Sequence, residues 1–214
     1  PEALAAAPAS RRVQRRPLRV RAADGSGDTL QGFILGAGAF TLATEAGQSA
    51  HKLGAFNSFA VGLTILWGVL QTLFGRAGNP WRATTPMRFA DAATGAPLPH
   101  AFAGAADSRY IVIATTFENF PLGVRPFGPK TPPGLKLGLI DRPLRWMMAL
   151  LPAILVGFLP ACVARRGAHR VSARALGAAA LDMEVGGRFI VDGEQYPAGR
   201  YRLDEGPLLT FVVP

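Results

Sequence analysis

Cysteine is almost absent from the 214-residue chain: Cys162 stands alone, so no internal disulfide can form, and a reducing compartment fits that usage. It lies in an apolar run without a His/Asp constellation and reads as a packing residue. Three histidines, His51, His100 and His169, share no ligand spacing and no Cys/His cluster joins them, which excludes a structural zinc site and leaves no expected metal ligands. No G-x-x-x-x-G-K-[ST] run occurs, so there is no P-loop, and neither a Ser-His-Asp order nor an internal repeat is present. Acids are scarce. Against 14 Asp and Glu stand 23 Lys and Arg, nearly all of the excess being arginine, for a formal charge of +9. That balance points to anionic partners: membrane lipid, nucleotide phosphate or nucleic acid. Nucleic acid is the weakest of these, because no aromatic stacking platforms are interleaved with the arginines.

What is present suits a strand-and-turn protein. The chain is 49% hydrophobic with 13 Phe and 3 Trp, ample for a core, and its 25 Gly and 18 Pro disfavour a helical bundle. About ten short strands with two apolar helical insertions predict a mainly β protein, an antiparallel β-sandwich. Residues 1–16 read as a flexible basic lead and 17–214 as the folded domain. The start at Pro1, without a methionine, is expected of a truncated or processed piece.

Arg11, Arg12, Arg15 and Arg16 run into Leu18-Arg-Val-Arg21. This is either a solvated basic linker entering an edge strand or a lipid-attracting segment, worth about 1 kcal/mol per basic residue near an anionic leaflet. Residues 30–40 read as one strand whose glycines, at 32, 36 and 38, mark a bulge or the close approach of another backbone or ligand. No charge occurs over 55–75, where Phe56, Phe59, Leu63, Leu66, Leu70 and Leu73 recur at spacings of three and four. One helical stripe results, with Asn57, Thr64 and Gln71 on a thin polar seam. A core helix fits, and so does a spanning one, for which roughly 20 residues are required. A hairpin is expected over 85–98, and strands over 109–117 and 135–140. The uncharged run 146–164 is interrupted by Pro152, Gly157 and Pro160, which predicts broken helices. Arg165, Arg166, Arg170 and Arg174 follow it, setting a basic patch beside an apolar one as on a surface that leans on a membrane. A meander of short strands fills the remainder.

Within that meander, the β-forming run Phe189-Ile-Val191 meets Asp192-Gly193, a two-residue loop of the kind that closes a hairpin. Glu194 follows directly. Two carboxylates are thereby expected at the tip of a rigid hairpin.

Val191-Asp192-Gly193-Glu194, followed by Gly206-Pro207-Leu-Leu-Thr-Phe-Val-Val-Pro214, resembles the C-terminal end of the diacylglycerol kinase and sphingosine kinase family. Gly32-Phe33 with Gly36-Ala-Gly-Ala-Phe40 is similar to that family's glycine-rich strand at the start of its second domain, and Ala114-Thr-Thr-Phe-Glu-Asn-Phe-Pro-Leu-Gly-Val-Arg125 falls where its next core strand lies. The resemblance runs from about Pro17 onward, carried by the order and spacing of short motifs. It implies the lipid-binding C-terminal half of an ATP-dependent kinase that moves the γ-phosphoryl of Mg-ATP to a hydroxyl of a diacylglycerol- or sphingoid-like membrane lipid. The family's Gly-Gly-Asp-Gly-Thr loop, with its catalytic aspartate, belongs to a preceding nucleotide domain and does not occur in this sequence. No catalytic residue is therefore expected here, and this segment alone is expected to be inactive and to bind no cofactor tightly.

By the same resemblance, Asp192, Gly193 and Glu194 face the nucleotide and magnesium. Segment 55–75 forms a helical lid, and Phe33, Phe40, Phe56, Phe59, Leu63, Leu66 and Leu70 line the lipid pocket. Phe40 stands where many relatives place an acid toward the head group. Glu45 is the nearest substitute, or else a solvent-facing residue, and Glu118 and Arg125 either contact the head group or cap their strand. The implied partners are membrane lipid, the chain's own nucleotide domain and an anionic membrane surface, at the cytoplasmic face of the inner leaflet. The alternative is a small membrane-embedded or membrane-binding protein without catalysis, with 55–75 and 146–164 as spans.

Overall fold

Alternation along the strands builds the core. Leu18 and Val20 of β2 (Leu18–Ala22) and Leu181, Met183 and Val185 of β10 (Ala180–Val185) point inward from one sheet. Leu35 and Ala37 of β4 (Ile34–Gly38), Val112 and Ala114 of β7 (Ile111–Thr115) and Leu137 and Leu139 of β8 (Lys136–Ile140) meet them from the other. The computed structural model describes residues 12–52, 58–76, 78–102, 107–118, 120, 125–128 and 131–212. The first sheet also contains β3 (Leu30–Gly32), β5 (Thr85–Asp91), β6 (Ser108–Arg109) and β13 (Gly199–Glu205), in the order β3-β2-β13-β10-β5-β6. The second adds β9 (Ala168–Ser172), β11 (Phe189–Val191) and β12 (Glu194–Tyr196), in the order β12-β11-β4-β7-β8-β9. A separate ribbon pairs β1 (Arg12–Arg15) with β14 (Leu209–Val212), and every pairing is antiparallel. The fold is the expected mainly β antiparallel sandwich.

Helices cover part of the second sheet's outer face. α1 (Ala39–Lys52) and α2 (Ser58–Phe74) follow β4, and three short helices, α3 (Arg145–Ala149), α4 (Leu151–Leu155) and α5 (Ala161–Ala164), follow β8. Ile140, Met147, Met148, Ile154, Val163 and Ala168 form a second apolar cluster beneath them.

Several local expectations need correction. The strand expected over 30–40 is broken twice: Phe33 interrupts it, and Gly38, at φ 72°, ends it so that Phe40 lies in α1. β2 is not an edge strand, because β3 flanks it. Its arginines are engaged internally, Arg19 and Arg21 each lying 2.6 Å from the buried Asp204. Arg12–Arg15, within the segment expected to be a flexible lead, forms a strand. The partner strand expected for β5 is reduced to a bridge between Ala90 and Pro97. Cys162, read as packing, is exposed. Arg170 is drawn out of the basic patch, its guanidinium donating to the carbonyls of Gly157 and Ile154 at 2.9 and 3.0 Å.

The largest correction concerns the second half of α2, where most of the large apolar side chains face outward and only Leu73 packs against the second cluster. Leu66, Trp67, Leu70 and Phe74 are 52, 56, 37 and 77% exposed. The face toward the protein carries Gly68, whose missing side chain admits the Trp81 ring, and Thr72, which is buried. Thr72 Oγ1 lies 2.8 Å from the Gly68 carbonyl and 2.9 Å from the Tyr110 hydroxyl, so its polar atom is satisfied in an otherwise apolar contact. Gln71 accepts from Asn79 Nδ2 at 2.7 Å. Leu66 and Leu70, expected in a lipid pocket, therefore point outward. Among the described residues no helix is long and apolar enough to cross a membrane.

Candidate functional site

One end of the sandwich gathers most of the chemistry. In the second sheet the register aligns Ile34, Thr115, Lys136 and Ser172 across β4, β7, β8 and β9. Val191, the last residue of β11, sits opposite Leu35 at the same end. In the first sheet this is the end where Leu18 opposes Gly32 and Glu205, and there the ribbon β1–β14 continues from β2 and β13.

The Asp192-Gly193 turn closes as expected. Both residues have positive φ, 48° and 97°, as a two-residue hairpin loop of this type requires, and β11 pairs with β12 through Val191 and Glu194. The Asp192 side chain folds back onto the interruption at Phe33. Its Oδ1 accepts from Phe33 N at 3.0 Å and Ile34 N at 2.8 Å, its Oδ2 accepts from Phe33 N at 2.9 Å, and Asp192 N donates to Ile34 O at 2.9 Å. A carboxylate receiving backbone N–H groups forms the stronger, charge-assisted kind of hydrogen bond. Gly32 makes this clasp possible, because a Cβ there would collide with Val191 and the Asp192 carboxylate. Glu194 is exposed, and its Oε2 accepts from the Tyr196 hydroxyl at 2.9 Å, which pushes that phenol above its ordinary pKa. The two acids thus differ: Asp192 is built into the backbone, while Glu194 projects from it.

Beside the turn runs a row of phenylalanines. Phe33 stacks on Phe117 at 5.1 Å and meets Phe211 of the ribbon edge-on at 5.8 Å; Phe120 and Phe127 continue the row. Next to it lie two cavities that share Glu118 and Pro133. The larger, about 330 Å³, is lined by Phe117, Phe120, Arg125, Phe127 and Lys136 among others. The second, about 250 Å³, has Arg15, Arg16, Arg174 and Glu205 in its wall.

Lys136 alternates with Leu137 and Leu139, which face the core, so its side chain leaves on the outer face of the sheet. It is 3% exposed, and its Nζ donates to the Phe117 carbonyl at 3.1 Å. Burial holds this ammonium below the usual lysine range, with Glu118 and Glu205 working the other way. Glu205 is itself tied down, its Oε1 accepting from Leu135 N at 3.0 Å.

Of the residues singled out from the sequence, Asp192, Gly193, Glu194, Phe33, Glu118 and Arg125 all come to this end. Phe40 does not: it lies in α1 against Gly36, where a Cβ would overlap its ring. Glu45 accepts from Gln195 Nε2 at 2.8 Å and so joins α1 to the edge strand β12. Phe56 lies outside the described residues, as do the side chains of Phe59 and Leu63. Lys136 escaped the sequence reading. Its signal was a lone lysine in an otherwise apolar strand, in a chain whose cations are nearly all arginine. Among the described residues no group of three or more His, Cys, Asp or Glu side chains could hold a metal ion.

No family model matches the chain, and neither does any curated protein. Two solved structures from Bacillus anthracis str. Sterne, described as a diacylglycerol kinase and a candidate one, match with TM-scores of 0.46 and 0.48 at 10% and 12% identity, over 94% of this chain and 55% and 58% of theirs. A further candidate diacylglycerol kinase from that organism matches with a TM-score of 0.50 at 12% identity, over 94% of this chain and 57% of its own. The chain thus spans little more than half the length of these structures, and what it shares with the last of them is the fold.

Proposed function

We infer that the chain is the lipid-binding half of an ATP-dependent lipid kinase acting on a hydroxyl of a diacylglycerol- or sphingoid-like lipid. The observation that carries this reading is the clasped Asp192 turn, which fixes the backbone from which the exposed Glu194 projects, in a fold like that of a candidate diacylglycerol kinase. In such transfers little covalent chemistry falls to the protein; positioning and charge neutralisation do most of the work. Mg-ATP is the phosphoryl donor in this reading, and it binds between this half and a nucleotide domain. One carboxylate suffices for a magnesium ion that keeps several waters, so the projecting Glu194 fits that use without a dedicated cage. Glu194 orders water or donor phosphate through its projecting carboxylate, and Asp192 fixes the backbone from which it projects. The general base belongs to the nucleotide domain. The test is transfer of labelled phosphate from ATP to diacylglycerol or sphingosine in mixed micelles by the full-length protein, with no transfer expected from residues 1–214 alone. Failure of the full-length protein to label either lipid overturns the reading.

The outward apolar face of α2 supports peripheral attachment to the cytoplasmic face of a membrane. Leu66, Trp67, Leu70 and Phe74 lie on that helix, Trp146 on the adjoining α3, and Arg142, Arg145, Arg165 and Arg166 are exposed on neighbouring segments. Apolar area buried in the lipid interface and arginines attracted to anionic head groups act together in such attachment. Co-sedimentation with anionic vesicles should fall as salt rises, and Arg165→Glu with Arg166→Glu should weaken binding and flatten that salt dependence. Replacing Trp67 and Phe74 with Ser should weaken binding at least about 100-fold at every salt, given about 1.5–3 kcal/mol for each large apolar side chain fully buried. Equal binding of wild type and the Ser variant would remove α2 from the attachment surface.

A further inference from the structure

The geometry points to a binding site for a phosphate monoester in the cavity built over Lys136, with an apolar remainder of the ligand lying along the phenylalanine row. The charge balance selects an anion. Arg125 and Lys136 line the larger cavity, Arg15, Arg16 and Arg174 line the adjoining one, and the acids facing them are Glu118 and Glu205. Among the described lining residues, five cations against two carboxylates leave three positive charges in excess, and one of those carboxylates is already engaged by Leu135 N. A buried ammonium is costly to hold unless it is paired. Lys136 is almost fully enclosed, and among the described residues its hydrogen bond runs to a neutral carbonyl while Glu118 and Glu205 act on it only through space, so an entering anion supplies a directly bonded charged partner.

A phosphate monoester carries about −1.5 to −2 charges and three acceptor oxygens, which suits an ammonium and a guanidinium converging from different segments. The walls then choose the rest of the molecule. Phe117, Phe120, Phe127 and Pro126 give an apolar surface beside the charged floor, as a phosphorylated amphiphile needs. In this site Lys136 and Arg125 hold the phosphate while Glu118 at the rim discourages a second anionic group. The assignment rests on the cavity and does not depend on the nucleotide-facing role of Asp192 and Glu194, so each can fail separately.

The test is calorimetric titration of the full chain with three probes: inorganic phosphate, dihexanoyl phosphatidic acid below its micelle concentration, and uncharged dihexanoylglycerol. Binding of both phosphate probes with equal affinity supports a free-phosphate site, and tighter binding of the phosphatidic acid supports a lipid head-group site. Lys136→Met is expected to weaken whichever phosphate probe binds by about tenfold or more, the usual cost of losing one charge-assisted contact. Because that change removes a buried charge, its melting curve is recorded alongside. Arg125→Gln, at an exposed position that cannot unfold the sheet, should weaken the same probe by a smaller factor. Arg88→Gln, on β5 of the other sheet, should change nothing. Absence of phosphate binding at millimolar probe, unchanged affinity in both Lys136→Met and Arg125→Gln, or equal affinity for dihexanoylglycerol and phosphatidic acid would overturn the assignment.

Discussion

Asp141→Asn is expected to lower the unfolding free energy by about 3–5 kcal/mol, the usual cost of removing one member of a buried ion pair. Asp141 is wholly inaccessible and Arg109 is 1% exposed, with 2.5 Å between Oδ1 and Arg109 Nη1. The other carboxylate oxygen accepts from Ala101 N at 2.8 Å and lies 2.9 Å from His169 Nε2. His100 Nε2 stands 3.7 Å from Oδ1 and 2.9 Å from the Ser108 carbonyl. One carboxylate thus gathers β6, β9 and the 99–102 segment at the end of the sandwich away from the ribbon. Asparagine preserves the shape and the contact with Ala101 but leaves the guanidinium buried without a countercharge. Its Nη2 bond to Pro99 O, at 3.0 Å, is to a neutral group. Adding Arg109→Met to Asp141→Asn should recover most of the loss, because the unpaired cation is what costs. Chemical denaturation measures both, and a fall in Tm on the order of 10 °C is expected for the single variant in a chain of this size. A loss below about 1 kcal/mol would show that the pair does not anchor this end.

The same carboxylate gives the stability curve an acid limb. Burial works to raise the Asp141 pKa, but hydrogen bonds from His169 and Ala101 and the charge of Arg109 outweigh it and hold the group below its ordinary value. A carboxyl whose pKa is lower when folded contributes fully above its unfolded value, about 3.9, and loses that contribution as the pH falls through the folded value. Stability of the wild type should therefore decline in this acid range more steeply than that of Asp141→Asn.

Short-range chemistry was readable from the sequence, and long-range pairing was not. The Asp192-Gly193 hairpin needs only a residue tolerant of positive φ, a glycine and two β-forming flanks, all of which are local. The sandwich followed from the count of about ten short strands with two apolar insertions, and strands such as β10 turn Leu181, Met183 and Val185 into its core. By contrast, the strand break at Phe33 is held by a side chain 159 residues away, and no window around Phe33 contains that fact. Gly38 was visible as a glycine within an apolar run, but its positive φ, which turns strand into helix, is set by packing against the Tyr110 carbonyl. Periodicity placed a helix here, but of its expected stripe Leu66 and Leu70 face outward with Trp67 and Phe74, while Leu73 packs against the second cluster. That orientation is decided by Trp81 and Tyr110, which accept Gly68 and Thr72 and leave the larger residues outside. Lys136 and Asp141 were missed for a related reason: each is a charge at one end of a single strand, and its meaning comes from residues brought there by other strands.

If the chain acts as proposed, Glu194→Gln in a protein that joins it to a nucleotide domain is expected to lower turnover by about 10²–10³-fold, the scale of losing one preorganised electrostatic contact, while leaving the fold unaffected. Glu194 is exposed and its one hydrogen bond among the described residues comes from the Tyr196 hydroxyl, which glutamine can still accept. Asp192→Asn should behave differently. Its carboxylate supports Phe33 N and Ile34 N, so an amide, with one oxygen and one donor nitrogen, satisfies only part of that clasp. Both turnover and stability should fall, the latter by about 1–3 kcal/mol for hydrogen bonds to a charged group. Gly32→Ala offers an independent route to the same defect, because its methyl displaces Val191 and the Asp192 carboxylate while both acids keep their chemical identity. If the turn acts by positioning Glu194, Gly32→Ala should lose turnover along with stability while lipid binding to vesicles persists. Phosphate transfer, denaturation midpoint and vesicle co-sedimentation, measured on the three variants, separate the roles. Wild-type turnover in Glu194→Gln would reduce the hairpin to a structural clasp and move the nucleotide-facing chemistry elsewhere on this end of the sandwich.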